Sequence, residues 1–81
     1  MRVRVRLFAV AKELAARDEL IIELPHGATV ADLHQAVVEV VPALARIIPH
    51  SLWAVGTEYV DRDAKLNYDS DVALIPPVSG G

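Results

Sequence analysis

Cysteine is absent from the 81 residues, so no disulfide braces the fold and no thiolate is available to ligate a metal or attack a substrate. That composition suits a reducing compartment. Long apolar runs are missing too: none approaches the roughly 20 residues that a membrane span requires. The opening MRVRVRLF alternates basic and apolar residues and contains no apolar stretch of the kind a signal peptide needs. The expectation is a soluble, cytoplasmic protein. There is no basic surplus. A formal net charge of −3 argues against nucleic acid, whose binding concentrates Lys and Arg on one face.

Recognisable catalytic groupings are also missing. Ser51, Ser70 and Ser79 lack a nucleophile-elbow context, and Thr57 beside Gly56 reads as turn chemistry. No glycine-rich loop is placed to cradle a phosphate, and His26, His34 and His50 are scattered along the chain. Asp61, Asp63, Asp69 and Asp71 form two D-x-D pairs without the glycine or closing glutamate of a calcium loop. They read as turn residues, which Asp favours.

What is present points to one small domain. A chain of this length buries only about 60–65% of the surface its unfolded form exposes, and 53% hydrophobic residues supply the core. Strict alternation from Arg2 to Leu7 predicts a half-buried strand, with Val3, Val5 and Leu7 inward. Arg2, Arg4 and Arg6 face outward, as a binding stripe or as a solvated sheet face. Phe8 continues the arginine side, an aromatic where water is expected.

Ala9 to Arg17 predicts a short helix. Glu19 to Leu24 predicts a second strand, with Leu20, Ile22 and Leu24 on one face, broken by Pro25-His26-Gly27. Thr29 is an N-cap and Asp32 a short-armed capping-box acid for the main helix. Its apolar stripe is expected to be Val30, Leu33, Val37, Val40 and Val41, bordered by His34. Pro42 ends or kinks that helix, and Pro49 is expected to stop the chain's next turn. Leu52–Val55 and Glu58–Val60 predict two short strands about Gly56-Thr57. Asp71–Ile75, apolar on both faces, predicts a central strand. One main helix on one sheet makes an α+β roll.

The last strand leads into the tail. Val72 and Leu74 are expected to meet the helix, and Ala73 and Ile75 to join Phe8 on the open face as a partner site. Pro76 and Pro77 cannot continue the ladder and stiffen the exit. Val78 and Ser79 follow, then Gly80 and Gly81, slender enough to enter a tunnel too narrow for a β-carbon. A stiff base with a thin tip suits delivery of the terminal carboxylate into another protein's active site.

These residues resemble the small subunit of molybdopterin synthase, the MoaD-like sulfur carriers with a ubiquitin-like β-grasp fold. The likeness runs through V-x-L-F-A-x-A-x-E-L at Val5–Leu14, T-V-x-D-L at Thr29–Leu33, A-V-x-x-x-Y-V at Ala54–Val60 and D-V-A-L-I-P-P-V-S-G-G at Asp71–Gly81. Two turns depart from it: Gly56 stands where the family usually has Asn, and Asp69-Ser70-Asp71 replaces a D-G-D-E turn. The resemblance implies a β-grasp domain over 1–76, with a mixed sheet of about five strands, and an extended flexible tail over 77–81.

It further implies that Gly81 is adenylated by an ATP-dependent, ubiquitin-activating-like (MoeB-like) enzyme. A persulfide donor then leaves a terminal thiocarboxylate. Docked in the large (MoaE-like) subunit, that sulfur would pass to cyclic pyranopterin monophosphate, two rounds building the dithiolene of molybdopterin. Gly81 and Gly80 would carry the chemistry. Phe8, Lys12, Ala73, Ile75, Pro76, Pro77, Val78 and Ser79 would contact partners. The chain itself would bind no cofactor or metal, and family members form a heterotetramer. Two other readings remain: a carrier for another pathway, of the thiamine or protein-conjugating type, and a non-catalytic β-grasp interaction module.

Overall fold

The structure, a computed structural model, describes residues 1–67 and 70–77. Strand β1 (Arg2–Leu7), helix α1 (Ala9–Ala15), β2 (Glu19–Glu23) and helix α2 (Val30–Val40) form the first half. Two 3₁₀ turns (Pro42–Arg46 and Ile48–His50) lead to β3 (Leu52–Val55), β4 (Glu58–Val60) and β5 (Asp71–Ile75). The five strands make one mixed sheet in the order β2-β1-β5-β3-β4. Only β1 and β5 run parallel; the other neighbours are antiparallel. This is the α+β β-grasp roll, and β5, the last strand in sequence, lies at its centre.

Alternation decides which side chains are buried. Val3, Val5 and Leu7 of β1, Leu20 and Ile22 of β2, and Val72 and Leu74 of β5 enter one core, against Val30, Leu33 and Val37 of α2. A one-residue slip in any strand would turn its apolar set to water, so the pattern fixes the register as well as the face.

The start of α2 is fully capped. The Thr29 N–H donates to the Asp32 carboxylate (2.9 Å), and the Asp32 N–H donates to the Thr29 hydroxyl (3.4 Å). The Val30 and Ala31 N–H groups donate to the carbonyls of Ala64 (2.9 Å) and Arg62 (3.0 Å). The loop before β5 thereby satisfies donors that the helix cannot, and buried Leu66 anchors it in the core.

Two expectations are corrected here. Val40 is not part of the apolar stripe: it is 57% exposed. α2 ends there because the residue before a proline is disfavoured in the helical region, and Val41 leaves the helix at φ −131°. The core is completed by Leu44 and Ile48 from the 3₁₀ turns. Pro49 does not stop the chain either. It occupies an early position of the second 3₁₀ turn, where no N–H is needed.

The two departing turns are accommodated locally. Gly56 has φ +63° and closes the β3–β4 turn, a left-handed conformation open to Gly and Asn alike. Ser70 Oγ accepts the Asn67 N–H (2.8 Å), while the Ser70 N–H donates to the Asn67 carbonyl (3.0 Å).

Candidate functional site

The sheet face opposite the helices divides into two halves. On β2 and β1 the outward side chains are charged and paired, apart from Ile21 opposite Arg4. Arg2 Nε lies 3.0 Å from Glu23, Arg4 Nε 3.7 Å from Glu19, and Arg6 Nε 3.3 Å from Asp71 on β5. The arginines therefore form a solvated ladder neutralised by neighbouring strands, and nothing in it favours an external anion.

The half on β5, β3 and β4 is apolar. One row of register partners crosses the sheet as Glu19, Arg6, Ala73, Ala54 and Tyr59. The next outward row pairs Ile75 with Leu52. Leu52 is 54% exposed and Tyr59 67%, while Ala54, Ala73 and Ile75 are half-buried. Phe8, still extended at φ −128° and 45% exposed, carries the Arg6 face beyond the end of β1.

Parallel pairing sets where the chain leaves the sheet. Leu7 and Leu74 are register partners, so β1 and β5 end on the same side of the sheet, beside α1. Pro76 is buried and fixes the root of the exit; Pro77 is exposed. Lys12 is exposed on α1, lining a concavity of about 420 Å³ with Arg6, Leu7, Phe8, Ala9, Asp18 and Glu19. It lies at the end of the charged half, beside β1 and the start of β2.

Of the residues expected to act, Phe8, Ala73, Ile75 and Pro77 are gathered on or beside one end of the open face. Val78, Ser79, Gly80 and Gly81 lie outside the described residues, as does Asp69 of the second D-x-D pair. Leu52, Ala54 and Tyr59 complete the apolar half and were not singled out from the sequence. Their signal was available: Trp53 is the residue of Leu52–Val55 that belongs inside, which puts Leu52 and Ala54 outward.

His34 is half-buried on α2. Burial, reinforced by the Arg62 guanidinium, lowers its pKa from the ordinary imidazole value. Among the described residues, no group of three or more His, Cys, Asp or Glu side chains is arranged to hold a metal. No helix among them is long and apolar enough to cross a membrane.

The geometry can be set beside known proteins. The ThiS family matches residues 5–81. The molybdopterin synthase sulfur carrier subunit of Dictyostelium discoideum is 37% identical, over 96% of this chain and 94% of that one. Its counterpart in Chlamydomonas reinhardtii is also 37% identical, over the full length of both. Among solved structures, SAMP1 from Haloferax volcanii superposes with a TM-score of 0.90 at 28% identity, each chain covered completely.

Proposed function

The chain belongs to the ThiS family, with the molybdopterin synthase sulfur carrier subunits, and on that premise we propose that Gly81 is its working group. The carboxylate is activated by attack on ATP, with pyrophosphate leaving and an acyl adenylate formed on a ubiquitin-activating-like enzyme. The terminal sulfur of a protein persulfide then attacks the acyl carbon and AMP leaves. A thiol cleaves the resulting S–S bond, and a thiocarboxylate remains at Gly81. Its sulfur is softer and more nucleophilic than a carboxylate oxygen.

The acceptor is cyclic pyranopterin monophosphate, held by the large subunit of the synthase; two deliveries build the dithiolene. Acid–base and phosphate-binding groups belong to that subunit, and ATP belongs to the activating enzyme. This chain contributes a folded handle and a reagent. Its working compartment is the cytoplasm, where the persulfide donor and both protein partners are met in turn.

One observation carries the reading. The central strand β5 hands the chain to Pro76 and Pro77 at the end of the apolar half-face. A protein that takes up the tail therefore meets Phe8, Ile75 and their neighbours at the same time.

The small archaeal modifier protein SAMP1 of Haloferax volcanii shares this fold, so attachment of Gly81 to lysines is the second reading. Reconstitution separates the two. The thiocarboxylated chain, large subunit and precursor should yield the dithiolene product, and deletion of Gly81 should abolish it. Isopeptide adducts without product would favour the modifier reading.

A further inference from the structure

We infer that Ala54 and Ala73 form a socket for one large apolar side chain of the synthase large subunit. The inference rests on the carrier reading above.

Ala54 and Ala73 are register partners on β3 and β5, both turned to the open face in the middle of the sheet. Larger side chains surround them: Ile75 and Leu52 in the next outward row, Tyr59 across β4, and Arg6 across β1. With strands about 4.8 Å apart, Arg6 and Tyr59 stand roughly 14 Å from each other across the two alanines. The result is an apolar floor with walls one side chain high.

Alanine is depleted in strands, where β-branched and aromatic residues are favoured. Two adjacent alanines at the centre of a sheet go against local preference, and neither fills the core. Such a conflict between local preference and fold is expected where function sets the residue.

The occupant follows from reach. Val78 to Gly81 are four residues and span at most about 14 Å. A protein that holds the Gly81 acyl group in its active site must therefore bring its surface against the end of β5. The socket adjoins that end: Ala73 lies two residues back along the strand from Ile75, on the same face. The charged half of the face is already neutralised by its own ion pairs, so the apolar half is the surface that gains by being covered. A side chain seated on the alanine floor would be enclosed by Leu52, Ile75 and Tyr59, the arrangement of an interface anchor.

Filling the socket tests this. Ala73→Leu and Ala54→Leu should each weaken binding of the full-length chain to the large subunit by about tenfold or more, since overpacking a close-fitted contact is costly. Ala73→Ser and Ala54→Ser, which keep the socket open, should stay within about threefold, as should Ile21→Ser on the far half of the face. Calorimetric binding would be read beside thermal melts, which separate a lost contact from a lost fold. If the folded Leu variants bind like the parent chain, the socket is wrong and the carrier reading stands. If the parent chain itself does not bind, both fail together.

Discussion

Leu7 and Leu74 sit side by side in register on parallel strands, both buried and both close to the same end of the sheet. This pairing joins the first and last strands and brings Phe8 and Ile75 out together beside the tail. The contact that holds the sheet together thus also places Phe8 and Ile75 where the chain leaves β5. Leu74→Ala should cost about 3 kcal/mol through lost transfer energy and the cavity left behind. In a domain of this size that lowers the melting temperature by about 15 °C. A calorimetric melt unchanged within a few degrees would contradict the placement of Leu74 in the core.

Thr29 closes the first turn of α2 together with the loop carbonyls of Arg62 and Ala64. Thr29→Ala should destabilise the chain by about 1 kcal/mol. The amides of Val30 and Ala31, held by the loop, should exchange faster in the same variant. Hydrogen exchange at those two positions checks the claim, and protection equal to the parent would show the cap to be idle.

Ala16 ends α1 in the left-handed region, at φ +57° and ψ +32°. A β-carbon there costs roughly 1–2 kcal/mol, and glycine avoids that cost while losing part of the gain to unfolded-state entropy. Ala16→Gly should therefore raise stability by about 0.5–1 kcal/mol. The check is a higher urea midpoint at unchanged slope; a lower midpoint would mean that the alanine is unstrained.

Much of this fold can be read in the sequence, because strands β1 and β2 obey a strict period of two and the Thr29–Asp32 box is local. The centrality of β5 follows from its being apolar on both faces. The parts that escape are those fixed by partners distant in sequence. The pairing of Arg6 with Asp71 depends on a parallel contact across 65 residues, 71 minus 6. Val40 fits the helical period and yet is exposed, since the helix ends before Pro42 and Leu44 takes its place. Leu52, Ala54 and Tyr59 become a surface only when β3 and β4 are laid beside β5. The tail is conspicuous as sequence, whereas the apolar half-face needs the sheet.

His34 supplies a pH dependence. Its folded pKa lies below the unfolded value, through burial first and Arg62 second. The unfolded chain then binds more protons as pH falls below the ordinary histidine range, about 6.5. Stability contributed by neutral His34 is fully present above that range and is lost as pH falls through the lower folded pKa. Thermal melts from about pH 8 to pH 5 should show a decline that His34→Gln reduces. An identical decline in the variant would assign it to other groups.

Ile75 is half-buried on the open face at the root of the tail. If the large subunit docks here as proposed, Ile75→Asp places an unpaired charge in that contact, so binding should weaken by about 2 kcal/mol or more, roughly thirtyfold. Titration calorimetry measures it directly, and parent-like affinity would remove Ile75 from the interface.

The most direct test of the account is the intact mass of the chain before and after incubation with the activating enzyme, ATP and a persulfide donor. The account predicts a gain equal to exchanging one terminal oxygen for sulfur, absent when Gly81 is deleted. An unchanged mass, with an activating enzyme shown to be competent on another carrier, would contradict it.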